Sequence, residues 1–328
     1  MYFKKNPEMV ILGAIAVFAL LLMWVLNPEQ FLSLYNLQSM AFQLPELGIL
    51  SLAMMIPMLS GGINLSIIAT ANLSGILTAL ILIRATQAGL EGWQAAPLVA
   101  AALGAGLLAS LACGLVNGLI IAAIGVSPIL TTLGTMTLIN GITIVITRGY
   151  TLSGFPKQIA FFGNGSLLGV PVPMLIFILC ALIVSLLLNR TVLGFEIYMI
   201  GSNPVATLFS GVNNRAVLVK VYLISCLLSG VVSVIMISRF NSAKADYGEG
   251  YLLITILASV LGGISTAGGF GRVSGLALAL IILQLVSSGL NLLRVNAFLT
   301  LSIWGGILIL AMAVNHWSRT YQLSRRGE

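Results

Sequence analysis

Charged positions drop out of this sequence for stretches far longer than any soluble helix or strand would allow. From Gly92 to Thr147 not one Asp, Glu, Lys or Arg occurs. A membrane-crossing helix needs about 20 apolar residues, so that run holds two helices and a turn. Charge-poor runs of spanning length recur at 9–26, 174–189, 221–238, 273–293 and 295–314. With Pro and Gly as punctuation, the pattern predicts about ten transmembrane helices, near 9–26, 40–59, 63–83, 95–122, 127–147, 171–189, 220–240, 251–264, 273–293 and 297–316. The expected fold is all-α and polytopic, with broken or re-entrant segments near 60–66 and 261–272.

Composition sharpens this. The chain is 59% hydrophobic and 7% charged, with mean hydropathy +1.10; soluble domains average about 25% charged residues. No segment is polar enough for an appended soluble domain, so residues 1–328 read as a single membrane domain in contact with lipid. The net charge of +7 sits on single bases at helix ends. That is a topological signal and does not point to nucleic acid. An even number of spans puts both termini on one side, and Lys4, Lys5, Arg319, Arg325 and Arg326 mark it as cytoplasmic. The first span has no small-residue cleavage pattern after it and reads as uncleaved. Cys113, Cys180 and Cys226 lie inside apolar runs without a metal-binding spacing, and act as small hydrophobes. His316, beside Trp317, reads as an interfacial anchor. Arg239, Lys244, Asp246 and Glu249 fall between two spans on the outer side, either a solvated loop or part of a docking surface.

Two glycine-rich segments interrupt the apolar pattern. Ser60-Gly61-Gly62-Ile63-Asn64-Leu65-Ser66 separates two spans, and Leu261 to Arg272 (LGGISTAGGFGR) carries five glycines. Irregular backbone in a membrane survives only where protein or a wet cavity surrounds it. Both segments are therefore candidates to line a pathway. The second lacks the Gly-Lys-Ser/Thr of a phosphate loop, so no nucleotide site is expected on this chain. Gly-Gly-Ile recurs at 61–63 and 262–264, each followed by Ser-Gly, but glycine is too common here for this to establish duplicated halves. A third segment, 153–173, is punctuated by Gly and Pro and reads as an outer loop with a short interfacial helix.

Polar residues within the spans are neutral: Asn64, Ser66, Thr70, Asn72, Asn117, Thr131, Thr132, Asn140 and Thr143. Such groups suit the passage of an uncharged hydroxylated solute. Any one of them serves equally as an interhelical hydrogen bond worth about 1 kcal/mol or less. Asn64 and Ser66 lie at a helix break and are the foremost path residues.

The longest hydrophilic stretch on the expected cytoplasmic side is 190–220. Within it Asn203-Pro204 is a helix start, since Asn accepts from free amides and Pro suits the first helical position. Val205, Leu208 and Phe209 share one face, and Gly211 stands where the helix would stop. A short amphipathic helix of this kind is useful when it docks in a partner's groove; resting on lipid is its other use.

The run Gly194 … Tyr198-x-x-Gly201-x-Asn203-x-x-Ala206-x-x-x-Ser210-Gly211 resembles the coupling segment of the ribose-type ABC importer permeases, which serve sugar and autoinducer-2 uptake. Ser60-Gly61-Gly62-Ile63-Asn64-Leu65-Ser66 is similar to that family's S-G-(G)-I-D-L-S turn. Leu261-Gly262-Gly263 … Gly268-Gly269-x-Gly271-Arg272, followed by Gly289-Leu290-Asn291-Leu292-Leu293, is similar to its late signature. The likeness covers nearly the whole chain in order. It implies a multi-pass permease of the bacterial inner membrane that binds no cofactor itself. ATP and Mg would be held by ABC ATPase subunits, a solute-binding protein would deliver the solute, and a second permease subunit would complete the pore. Gly201, Asn203, Pro204, Ala206, Leu208, Phe209, Ser210 and Gly211 would form the ATPase-coupling element. Two departures stand out: Asn64 replaces the family's Asp, and Leu252-Leu253-Ile254 replaces an acid, an apolar residue and a second acid. They favour a pair of different permeases over a homodimer.

The rival reading is an ion-coupled secondary transporter of a small polar solute. Proton-driven machines relay through a carboxylate or histidine inside the bundle, whereas here every Asp and Glu is expected in a loop or at a span end, Glu46 coming nearest to an exception. A membrane enzyme is disfavoured, because no acid pair, His/Cys set or activated nucleophile falls within the spans.

Overall fold

In the computed structural model, residues 7–89 and 92–324 are described. The elements in chain order are α1 (Pro7–Leu26), α2 (Leu34–Leu59), α3 (Ile67–Gln87), α4 (Ala96–Leu119), which runs on into a π-helical turn at Ile120–Ile124, and α5 (Pro128–Thr147). Then come β1 (Leu152–Ser153), α6 (Ala160–Asn164), β2 (Ser166–Leu167), β3 (Val170–Pro171), α7 (Val172–Arg190), α8 (Val192–Ser202), α9 (Pro204–Phe209) and α10 (Asn214–Phe240). The chain closes with β4 (Ser242–Ala243), α11 (Tyr251–Leu261), α12 (Val273–Leu292) and α13 (Ala297–Ser324). Seven of these helices, α2, α3, α4 with its π turn, α5, α7, α10 and α12, are long and apolar enough to cross a membrane, and shorter apolar stretches lie in α1, α11 and α13. The protein is an all-α polytopic membrane protein. The expected loop 153–173 holds α6 and the β2–β3 hairpin. Lys4, Lys5, Arg325 and Arg326 lie outside the described residues, as do the side chains of His316, Trp317 and Arg319.

The centre of the bundle is α10, a 27-residue helix packed against α2, α3 and α4. Close approach is set by small residues on α4. Ala102, Gly106, Ser110, Gly114 and Gly118 recur every fourth position, and all are buried. That spacing puts them on one stripe of the helix. A β-carbon on Gly114 would lie 2.7 Å from the Tyr222 carbonyl oxygen and 2.9 Å from the Leu223 Cα. One on Gly118 would lie 2.9 Å from the Val219 Cα. In lipid the hydrophobic effect gives no drive for helix to meet helix, so backbone proximity and dispersion carry the packing.

Two features depart from the expected topology. The segment after α10 does not stay at the surface. It pairs β4 with β1 and then folds back into the bundle, where the Asn72 amide donates to the carbonyls of Ala245 (2.8 Å) and Tyr247 (3.0 Å). Asn72 lies only five residues into α3. In consequence α11 starts deep, with the Tyr251 hydroxyl 3.3 Å from Glu46 Oε2. α11 has 11 residues, about 16 Å of helix and roughly half a hydrocarbon core, so the span expected at 251–264 is a half-length helix that completes the crossing begun by residues 241–250. The second departure is Glu46 itself. It occupies the middle of the 26-residue α2, fully buried, 3.1 Å from Arg239. The expectation that every acid sits in a loop or at a span end fails at this residue, because Arg239 from the end of α10 reaches inward to pair with it. Arg239 thereby separates from Lys244 and Asp246, which pair with each other at 2.7 Å.

Replacing Gly114 by Leu is expected to lower thermal stability in detergent by an amount typical of overpacking, about 1–3 kcal/mol. Gly104→Leu on the same helix, where nothing lies within 4 Å of the added carbon, should leave the melting curve in place. Equal losses for the two variants would show that the α4 stripe does not set the packing.

Candidate functional site

The site is built where the two glycine-rich breaks meet. α2 contains Pro45 and Pro57. Proline carries no N–H, so Pro57 leaves the carbonyl of Ala53, four residues earlier, without its helical partner. The Ser225 hydroxyl of α10 takes that role, donating to Ala53 O at 2.7 Å. Ser225 in turn accepts from the Asn64 amide at 2.9 Å. The Asn64 side-chain oxygen accepts from the Ser66 hydroxyl at 2.8 Å and the Ser66 backbone N–H at 3.1 Å. Asn117 of α4 completes the series by donating to the Ser66 hydroxyl oxygen at 2.8 Å. Thr132 of α5 meets the same turn from the other side, accepting from the Leu65 N–H at 3.1 Å and sharing its one hydroxyl hydrogen between the Pro128 carbonyl at 2.8 Å and the Ile63 carbonyl at 3.0 Å. Asn64, Ser66, Asn117, Thr132 and Ser225 are all wholly buried.

The structure thus gathers four of the sequence-derived path residues, Asn64, Ser66, Asn117 and Thr132, into one network. Thr70 is buried one turn into α3, and its hydroxyl lacks a hydrogen-bond partner; the same holds for Thr131 on α5 and for the side-chain oxygen of Asn117. Asn72 is spent on the carbonyls of the 241–250 segment. Thr143 donates to the Asn140 carbonyl at 2.8 Å, and Asn140 is half-buried two turns along α5 from Thr132. Neither joins the network.

Below this network the second break closes on the first. The Gly269 N–H donates to the Leu59 carbonyl at 2.9 Å, across from the end of α2. Gly61, Gly268 and Gly269 have φ of +84°, +89° and +75°, the left-handed region that only glycine occupies at no cost. A β-carbon on Gly268 would stand 2.7 Å from the Gly61 nitrogen and 2.8 Å from the Gly201 Cα. One on Gly201 would run into the Leu59 carbonyl and the Gly269 nitrogen. Gly201 belongs to α8, so the 190–220 stretch is fastened directly to both breaks. Tyr198, also on α8, adds a hydrogen bond from its hydroxyl to the Gly271 carbonyl at 2.8 Å.

Beyond that joint lies α9. Asn203 caps it, its side chain accepting from the N–H groups of Val205 and Ala206, each at 3.0 Å. Pro204 stands at the first helical position, the Ser210 hydroxyl donates back to the Ala206 carbonyl at 2.9 Å, and Gly211 ends the turn at φ +83°. Thr207 is the buried residue of this helix, whereas Val205, Leu208 and Phe209 are 62%, 61% and 87% exposed. The apolar side chains expected to share a face are therefore presented outward at the end of the bundle that holds both breaks. Sequence reasoning missed α8. Thr191, whose side chain accepts from the Gly194 N–H at 3.2 Å, was its available cap signal. Ser225 was missed as well; a Pro-freed carbonyl in one helix cannot be matched from sequence to a hydroxyl in another.

An acid at position 64 would accept from Ser66 but could not donate to Ser225. Asn64→Asp is expected to lower stability by about 1–3 kcal/mol, the usual cost of stranding a buried polar partner. Ser225→Ala should cost a similar amount by orphaning the Ala53 carbonyl. Unchanged melting for both variants in detergent would remove the network from the account.

Comparison with known proteins agrees with this architecture. The family described as branched-chain amino acid transport system / permease component matches residues 36–312. The chain is 35% identical over 293 residues to the ribose import permease protein RbsC of Bacillus subtilis, covering 89% of this chain and 87% of that one. It is 31% identical to the D-allose transport system permease protein AlsC of Escherichia coli, covering 88% and 86%. To the autoinducer 2 import system permease protein LsrD of Yersinia enterocolitica it is 33% identical, covering 81% and 79%. No solved structure matches the chain. These relatives are transport components rather than enzymes. With its apolar helices, paired glycine breaks and outward α9, this chain belongs to the ABC importer permease family of the branched-chain amino acid transport system / permease component type.

Proposed function

We propose that this chain is one permease subunit of an ATP-driven importer for a small neutral hydroxylated solute, a sugar or a sugar-like molecule. The reading is supported by the relatives, whose names are those of ribose, D-allose and autoinducer 2 systems. The single observation that carries the mechanism is the pinned helix α9 with Val205, Leu208 and Phe209 facing out. A six-residue helix is too short to hold itself in water and gains most by lying in a partner's groove. In this proposal the partner is a cytoplasmic ABC ATPase that binds ATP and Mg, and α9, with Gly201 to Gly211, is the coupling element. Closure of the ATPase would push α8, and the glycine joint would pass that displacement to both breaks. The turn at Asn64 and Ser66, with Thr70 and Asn117 behind it, is then the moving part of the solute path, and Asn72, Thr131 and Asn140 flank it.

The chain would lie in the bacterial cytoplasmic membrane with both termini cytoplasmic. A solute-binding protein would deliver on the opposite face, and a second, different permease would complete the pathway. An ion-coupled secondary transporter keeps one observation in its favour: Glu46 is a carboxylate in mid-helix, the position where intramembrane acids commonly serve a relay. Its pairing with Arg239 at 3.1 Å suits a fixed structural charge better.

The double variant Leu208→Asp, Phe209→Asp is expected to insert and fold normally, to lose co-purification of an ATPase from native membranes, and to lose uptake at least tenfold. Full uptake by this variant would end the coupling assignment. Uptake in vesicles driven by an ion gradient without ATP would transfer the case to the secondary transporter.

A further inference from the structure

The half-helix α11 joins two places in the bundle. Its C-terminal end passes into the second glycine break, where the Gly269 N–H holds the Leu59 carbonyl and Gly268 lies against Gly201. Its N-terminal end sets Tyr251 beside Glu46 of α2. With 11 residues, about 16 Å of hydrogen-bonded helix, α11 carries a push at the glycine joint to Tyr251 as a rigid piece.

Two contacts of unequal strength meet at Glu46. Its Oε1 lies 3.1 Å from Arg239, which also donates to the Phe42 carbonyl at 3.4 Å. Separating a buried ion pair strands both charges, so this contact between α2 and α10 stays closed. The Tyr251 hydroxyl is 3.3 Å from Glu46 Oε2, against about 2.7 Å for an ordinary O–H···O bond. That second contact is loose. Tyr251 also lines a cavity of about 60 Å³ between α2, α11, α12 and α13, with Gln43, Gln284 and Ser287 as its polar wall. The volume is roughly four water positions, too little for a transported solute and enough for a phenol hydroxyl and ring edge to swing into. Acceptors stand ready there. Gln284 Nε2 makes a long 3.4 Å donation to Gln43, which leaves the Gln284 carboxamide oxygen as an acceptor, and the Ser287 hydroxyl is on the same wall.

We infer that Tyr251 is a two-position switch: its hydroxyl rests on Glu46 in this structure and crosses to Gln284 and Ser287 when the glycine joint is displaced. The inference rests on the importer reading, in which that displacement comes from the ATPase through α8. Glu46 keeps Arg239 in both positions and serves as a fixed post. A bond to a carboxylate is stronger than one to a neutral oxygen, so the first position is the resting one. Release of Tyr251 frees the N-terminal end of α11 from α2, the helix that leads into the Asn64 turn.

The test uses the whole transport complex in lipid nanodiscs, with 3-fluorotyrosine placed at position 251 and its fluorine resonance recorded. Adding ATP, Mg and vanadate should move the resonance or open a second one. Ser287→Leu fills the second seat and should hold the resonance at its nucleotide-free position, with ATP hydrolysis lowered at least threefold. Tyr251→Phe loses the resting bond and should raise hydrolysis in the absence of solute at least threefold. Opposite signs in two variants on one cavity wall are what a merely structural role would not give. A resonance that nucleotide leaves unmoved overturns the switch, and so does equal hydrolysis in all three proteins or a loss in both variants. A complex that purifies without any ATPase would instead strike the importer reading, and the switch falls with it.

Discussion

Inside a bilayer every backbone N–H and C=O must find a partner within the protein, and this one requirement shapes the interior of the permease. Where α2 stops, the Leu59 carbonyl is capped by an amide from a loop two hundred residues away in sequence. Where Pro57 removes a donor, Ser225 supplies one from a different helix. Each irregular piece of backbone thus becomes an obligate neighbour of another. Glycine is the residue that makes this possible, because main chain can meet main chain only where no β-carbon intervenes. The joint of Gly61, Gly201 and Gly268 is a place where three segments all satisfy that condition together.

The same requirement explains how the polar side chains are used. The Asn64 series ties α2, α3, α4 and α10 into one body, with a hydroxyl or amide at each crossing. A network of this sort allows little independent motion of its members. Displacement arriving through α8 would therefore move the breaks as a unit. The half-helix α11 is different: it ends in the glycine joint but begins beside Glu46, so its two ends answer to different parts of the bundle.

Much of the architecture was legible because it is written in length and composition. Spans follow from charge gaps, and α9 follows from Asn203, Pro204 and Gly211, each acting through its own backbone chemistry. Depth was not legible. Glu46 looked like a residue near a span end because sequence gives no measure of where a helix starts once Leu34 and Tyr35, both exposed, are counted with it. The return of 241–250 into the bundle was hidden for a related reason. Its polar and charged residues read as a surface loop, whereas the amide that draws it in, Asn72, lies 173 residues from Ala245. Pairings over such distances are decided by packing, which composition does not record. The α4 stripe is an intermediate case, since a small residue at every fourth position from Ala102 to Gly118 was visible as a pattern but has no meaning until α10 lies against it.

The placement of Glu46 also bears on how the protein is made. α2 leaves the ribosome early, whereas the groups that receive its carboxylate, Arg239 and Tyr251, follow about two hundred residues later. Until then the helix carries an unpartnered acid through its middle, a costly passenger in hydrocarbon by a few kcal/mol. The final seat of α2 is therefore completed only by residues from the far half of the chain, once α10 and α11 have joined the bundle. The two halves of the sequence are thus one folding unit, since a chain ending before Arg239 would lack the partner of the acid at the middle of α2.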